Sequence, residues 1–303
     1  MSQSDNEGKK PLVLVIGSNG QLAYAIRSFN EKWSPFFQLV FAGSNELDIR
    51  EELHVGHFIE IHQPSVIINC AAYTNVDRAE DEPDEAMRLN AAAAGYLAHA
   101  ANAIGATLVH ISTDYVFDGF SGFPCRENDT TNPMSNYGKS KMCGEQLVRE
   151  NCAHHYIIRT SWLYGNHGHN FLNTMLRLAN ERNELSVVTD QIASPTWVAD
   201  LAQGVFDLLR RVLIDKQDIP FGTWHFTNRG EASWFDFAQA IFSFTEKQVK
   251  VLPANVSTFP TKAARPQYSK LNCEKWEAHI GDIPHWKVSL LRCLRERRLQ
   301  MSG

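Results

Sequence analysis

Tyr137 and Lys141 stand four positions apart in the stretch PMSNYGKSKMCGE, Pro133 to Glu145. Residues at i and i+4 share one face of a helix, so a helix here sets a phenol beside an ammonium. Tyrosine alone is inert at neutral pH, with a reference pKa of about 10. A nearby ammonium favours phenolate over phenol, which lowers that value and makes Tyr137 a usable proton donor or acceptor. The lysine could also hold the ribose hydroxyls of a nicotinamide cofactor. This spacing is common on solvated helix faces, so its meaning depends on what stands nearby. Upstream, HISTDYVFDG closes an apolar run with Ser112, Thr113 and Asp114. A hydroxyl at the end of such a strand points into the crevice at the sheet edge. There it would bond the same carbonyl oxygen that Tyr137 protonates.

A third motif lies near the N-terminus. GSNGQLA directly follows the apolar run PLVLVIG and precedes a helical pattern. Gly17 permits a tight turn, Gly20 lets the backbone approach a pyrophosphate at the positive helix end, and Ala23 supplies a small residue where helix meets sheet. The order of strand, turn and helix is the one a dinucleotide site needs. The small residues of NCAAY, Asn69 to Tyr73, would let a cofactor cross the sheet edge without a clash.

These motifs need a sheet to hold them. Short apolar runs end near Gly17, Gly43, Tyr73, Thr113 and Trp162, and helical stretches separate them. Runs of this kind suit strands buried on both faces. The alternation predicts an α/β fold, a doubly wound parallel sheet with helices on both faces. The clearest helix is expected over Asp84 to Gly105. After about Gly165 the rhythm changes, predicting a smaller substrate lobe that is entered and left more than once. The expected division is residues 11–165 plus about 196–226 for the dinucleotide domain, and about 166–195 plus 227–303 for the lobe. Residues 1–10, MSQSDNEGKK, read as a disordered lead-in with no signal-peptide core. The 303 residues carry a net charge of −5, which points to neither nucleic acid nor an anionic membrane. No apolar run reaches the ~18 residues of a membrane span. The six cysteines form no C-x-x-C pair and fit a reducing cytoplasm, and the twelve histidines show no metal-binding spacing.

The turn spacing G-x-x-G-x-x-A, the strand-four Thr113 and the Tyr137–Lys141 helix resemble the extended short-chain dehydrogenase/reductase superfamily. The longer motifs AAYTNVDRAEDEP, STDYVFDG, NPMSNYGKSKMCGE, RTSWLYG, NFLNTMLRLANERNELSVVTDQIASPT and ARPQYSKLN are similar to the dTDP-4-dehydrorhamnose reductase family, over about residues 11–300. The resemblance implies NADPH-dependent reduction of the C4 ketone of a dTDP-4-keto-6-deoxy sugar, within nucleotide-sugar and cell-surface polysaccharide biosynthesis. It implies Thr113, Tyr137 and Lys141 as the catalytic set. Gly17, Asn19, Gly20, Gln21, Leu22, Asp48, Ile49, Ala71, Ala72 and Tyr73 would line the cofactor with Tyr137 and Lys141. Asp48 could also cap the helix that starts near Arg50. Thr113, Asp114, Tyr115 and Trp162 would meet the dTDP-sugar, and Arg265 would reach a phosphate of its nucleotide. Two alternatives stay open: a sister reductase such as dTDP-dihydrostreptose synthase, and a non-catalytic subunit resembling methionine adenosyltransferase beta.

Two departures from the family pattern carry expectations. Acidic residues that serve a magnesium ion at a family dimer interface are replaced by Ala25 and Ala199. Methyl groups cannot ligate a hard cation, so no metal is expected, and the chain is expected as a monomer or a metal-independent homodimer. Gly43 stands where an NAD-specific enzyme offers an acid to the ribose. With no acid at that position and Ser44 able to accept a phosphate, the expectation is NADPH, with NADH as an alternative.

Overall fold

The computed structural model describes residues 10–302, so the lead-in expected over residues 1–10 lies, but for Lys10, outside the described residues. The first half alternates β1 (Leu12–Ile16), α1 (Gln21–Ser28), α2 (Asn30–Trp33), β2 (Gln38–Ala42), α3 (Glu52–His62), β3 (Val66–Asn69), α4 (Arg78–Asp81), α5 (Pro83–Met87), α6 (Ala93–Ala103), β4 (Thr107–Thr113), α7 (Asn136–Asn151) and β5 (His155–Thr160). The second half runs β6 (Leu163–Tyr164), α8 (Phe171–Leu178), β7 (Glu184–Val188), β8 (Ile192–Ala193), β9 (Thr196–Trp197), α9 (Val198–Leu213), β10 (Gly222–His225), β11 (Ala232–Ser233), α10 (Trp234–Thr245), β12 (Lys250–Ala254), α11 (Glu274–His279) and α12 (Trp286–Ser302).

Six strands form one parallel sheet in the order β10-β5-β4-β3-β1-β2. The chain winds one way from β1 to β2 and the other way from β3 onward. The switch point therefore lies between β1 and β3, where ligands of open α/β sheets bind. Successive residues of each strand feed two separate cores. Val13, Val15, Val66, Ile68, Tyr156 and Ile158 join α1 and α9 on one face. Leu14, Ile16, Ile67, Leu108 and Ile157 join α3 and α6 on the other. Burial on both faces explains why these strands read as unbroken apolar runs. The remaining strands make three two-stranded pairs, β12 with β7, β11 with β8 and β6 with β9.

The helix expected over Asp84 to Gly105 is broken. A π-helical turn, Arg88–Ala92, separates α5 from α6. It turns Asn90 toward β3 and α7: Tyr73 N–H donates to Asn90 Oδ1 at 2.8 Å, and Asn90 Nδ2 donates to Tyr73 O at 3.1 Å and to Ser140 Oγ at 2.9 Å. Alanine richness favours helix of any kind and carries no sign of such a bulge. The third apolar run also ends sooner than read, at Asn69, because Asn69 Oδ1 takes the Ala71 N–H at 3.1 Å and turns the chain.

Helix α7 lies unusually close to its neighbours. A Cβ on Gly144 would fall 2.1 Å from Asn90 O, and one on Gly138 would fall 2.3 Å from Tyr115 O. Both obstacles are backbone atoms that cannot rotate away. Gly144→Ala should therefore cost about 2–3 kcal/mol by overpacking and lower the urea midpoint. An unchanged midpoint would show that α7 does not sit this close.

Candidate active site

Ser135 caps α7, its Oγ accepting from Gly138 N–H at 3.1 Å, which places Tyr137 in the first turn. The Tyr137 ring meets Tyr115 edge-on with centroids 5.5 Å apart. Burial raises the Tyr137 phenol above its ordinary value; a hydrogen bond with Thr113 opposes this, and the Asp114 charge adds to it. This differs from the expectation that Lys141 lowers it. The Lys141 amine donates to Ile111 O at 2.7 Å and lies 3.4 Å from His110 Nε2. Only 2% of Lys141 is exposed. Burial pulls it down to about 8, against the opposing charges of Glu145 and Cys70. The sequence shows that the two residues share a helix face, but not which carbonyl claims the amine.

The proposed cofactor residues cluster at the switch point. Gly17 has φ +81, and a Cβ there would fall 2.7 Å from Ala71 N. Only a glycine leaves that space between the turn and the end of β3. Gly20 N–H closes the turn on Gly17 O at 2.9 Å and precedes α1. The first-turn N–H groups of α1 have no partner within the helix and face the turn. These features fit a dinucleotide pyrophosphate. Asn19 is exposed, and Ala71, Ala72 and Tyr73 are half-buried beside the turn. Leu22 and Ile49, read as cofactor residues, bury their side chains in the two cores at 5% and 4% exposure and leave only backbone to face a ligand. The Gln21 side chain accepts from Asn170 Nδ2 at 2.8 Å. Asp48 is not the cap of α3. It takes the Arg50 guanidinium at 2.9 and 2.7 Å, which holds its carboxyl down at about 2, and α3 starts later, at Glu52.

Of the residues expected to meet substrate, Asp114 is 1% exposed. Thr113 Oγ1 donates to one carboxylate oxygen at 3.1 Å and Ser269 Oγ to the other, while burial pushes the group up to about 6. Its contacts therefore position Thr113. Arg265 is brought to the site: Nη1 donates to Tyr115 OH at 3.3 Å and Nη2 to Asp77 at 2.6 Å. Trp162 is not a free aromatic face. It stacks on Trp234 at 3.5 Å and 6°, and its φ of 47 is left-handed. A tryptophan in that region carries strain of order 1–3 kcal/mol, a feature that clusters at functional sites. Asp77, Asn90, His110 and Ser269 went unnoticed in the sequence. Only the acid-rich DRAEDEP stretch gave a signal, and it reads equally well as a solvated helix start.

Ala25 and Ala199 do not lie on open faces that could meet a partner. They are 5% and 7% exposed, in the one core where α1 packs on α9. Asp200 is no substitute metal ligand, because Asn228, Ser289 and Arg292 occupy its oxygens. Among the described residues, no group of three His, Cys, Asp or Glu could hold a metal.

A parallel sheet with a glycine turn at its switch point and a tyrosine–lysine helix beside it defines a Rossmann-type NAD(P)-binding reductase fold. The chain belongs to the family described as RmlD substrate binding domain, which it matches over residues 11–299. It is 40% identical to a dTDP-4-dehydrorhamnose reductase of Sinorhizobium fredii, covering 92% of this chain and 95% of that one. The corresponding reductase of Escherichia coli is 36% identical over 94% and 97% of the two chains. Among solved structures, a dTDP-4-dehydrorhamnose reductase of Bacillus anthracis in complex with NADP superposes with a TM-score of 0.89 at 40% identity, covering 95% of this chain and all of the other. A Thermus thermophilus UDP-glucose 4-epimerase, 17% identical, shares the fold at a TM-score of 0.76.

The burial of Lys141 makes a direct prediction. In 13Cε-lysine NMR spectra of the ligand-free protein, the Lys141 signal should titrate near pH 8, charged below and neutral above. Loss of that signal in Lys141→Arg would assign it. A midpoint near the ordinary lysine value of about 10.4 would contradict the buried placement.

Proposed function

We propose that this protein reduces the C4 ketone of a dTDP-4-keto-6-deoxy sugar, dTDP-4-dehydrorhamnose to dTDP-L-rhamnose, with NADPH. The observation that carries the reading is the hydrogen bond between the Thr113 and Tyr137 hydroxyls, with Lys141 one helical turn further on. The dinucleotide, when bound, supplies the hydride. Gly17, Asn19, Gly20 and Gln21 hold its phosphates by backbone and polar contact, and Ala71 to Tyr73 line its path across the sheet edge.

The chain's own residues manage the oxygen. The single Thr113 hydroxyl hydrogen, held by Asp114 before substrate binds, turns to the developing alkoxide, where donors aimed at the new charge contribute most. Tyr137 then gives up its phenolic proton to that oxygen. Because burial holds the phenol above its ordinary value, the proton stays in place until an alkoxide, a stronger base than the phenolate, has formed. Lys141 holds the nicotinamide ribose from its buried position. Arg265, steered by Asp77, meets a phosphate of the sugar nucleotide, and Trp162 and Tyr115 flank the sugar.

Residues 11–165 plus about 196–226 hold the cofactor, and about 166–195 plus 227–303 hold the sugar nucleotide. No helix among the described residues is long and apolar enough to cross a membrane. We place the protein in the cytoplasm as a monomer or a metal-independent homodimer.

Tyr137→Phe keeps the ring and removes the proton. With dTDP-4-keto sugar and NADPH, followed by loss of NADPH absorbance, turnover should fall roughly 10²-fold or more, and NADPH should bind nearly as before. Near-normal turnover would sink the proton-donor assignment.

A further inference from the structure

The turn after β2 carries an acid, Glu46. Gly43 N–H donates to Glu46 Oε2 at 2.8 Å, and the N–H groups of Glu46 and Leu47 return to Gly43 O at 3.2 and 2.9 Å. This reciprocal turn holds the carboxylate at the C-terminal end of β2. It also fills the place where a side chain after β2 would project. A Cβ on Gly43 would fall 2.8 Å from Ser18 Oγ, 3.0 Å from Glu46 Oε2 and 3.8 Å from Asn19 Nδ2. The glycine turn is locked to the same point, because Gly17 N–H and Ser18 N–H both donate to Ala42 O, at 3.0 and 3.2 Å. Glu46 thus stands beside the cofactor turn although it is three residues past the position where an acid was sought.

In doubly wound dinucleotide folds, the end of the second strand meets the adenosine ribose, and an acid there accepts from the 2′-hydroxyl. The same charge repels a 2′-phosphate. The turn residues Ser44 and Asn45 are neutral. Cations on the flanking segments are engaged elsewhere: Arg50 forks on Asp48 and reaches Glu85, and Arg27 lies over the Phe41 ring. We propose that the Glu46 carboxylate sets the balance between NADH and NADPH in this chain, weakening the hold on the 2′-phosphate so that NADH binds at comparable strength. This inference rests on the reductase reading above.

The test uses binding alone. Quenching of tryptophan fluorescence in the full chain gives the Kd of NADH and of NADPH, and calorimetry gives those of 5′-AMP and adenosine 2′,5′-bisphosphate. In the unmodified protein the two dinucleotides should bind within about an order of magnitude of each other. Glu46→Gln keeps the side-chain length and an acceptor for Gly43 N–H but removes the charge. It should move the NADPH-to-NADH preference toward NADPH by about 10-fold at low salt, and by less at high salt, where the repulsion is screened. Glu46→Ala, which also loses the Gly43 contact, should move the preference the same way even if both affinities fall. An unchanged preference in both variants, or NADH bound more than about 100-fold more weakly than NADPH by the unmodified protein, would overturn the assignment. If neither dinucleotide bound the unmodified protein, the reductase reading itself would fail, and this inference with it.

Discussion

One buried ion pair fixes the site. Arg159 on β5 forks onto Glu145 on α7 at 2.8 and 2.7 Å, and Ser112 on β4 donates to the same carboxylate at 2.6 Å. Glu145 is fully buried and Arg159 is 2% exposed. Burial alone would raise the Glu145 carboxyl, but Arg159, joined by Ser112 and Arg149, more than reverses this and holds it down. Such a pair gives little net stability against an apolar substitute, yet losing one partner leaves an unpaired buried charge, at a cost of about 3–5 kcal/mol. Its effect here is registration. The three groups belong to β4, β5 and α7, the elements that carry Thr113, Tyr137 and Lys141 or stand beside them. Because Ser112 precedes Thr113 and Glu145 lies one turn past Lys141, the pair sets strand and helix in a single relative position.

With that register set, the close contacts at Gly138 and Gly144 become necessary. They bring Tyr115 and Asn90 against α7, and Asn90 in turn clamps Tyr73, four residues past β3. The chain after β3 and the helix that carries Tyr137 are therefore linked through Asn90. The same closeness removes water from Lys141 and leaves Tyr137 half-buried. Their ionisation follows from burial in both cases, raising the phenol and lowering the amine, and not from a direct pairing of one with the other.

Much of this was legible in the residues. The double-sided strands, the glycine turn and the helix that carries Tyr137 and Lys141 follow from local pattern, because each depends on neighbours within a few positions. What stayed hidden depends on distant partners. The π-helical turn at Arg88–Ala92 exists because Asn90 reaches Tyr73 and Ser140. Trp162 is an aromatic at the end of an apolar run, and nothing local reveals that Trp234 already covers one face. Asp114 reads as a free acid until Ser269, far along the chain, is brought against it. Glu46 was overlooked for the opposite reason. The acid was sought in register with Gly43, and a short turn returns it to that place from three residues on.

The proposed reaction delivers hydride to one ketone carbon of a nucleotide sugar and a proton to its oxygen. The most direct measurement follows the hydride itself. Purified protein would be incubated with a dTDP-4-keto-6-deoxy sugar and NADPH deuterated at nicotinamide C4 on the transferred face, and the sugar product read by NMR and mass spectrometry. The account predicts one deuterium, bonded to C4 of the 6-deoxy sugar, and none elsewhere. A product without deuterium at C4, or no product under conditions where both ligands bind, would contradict it.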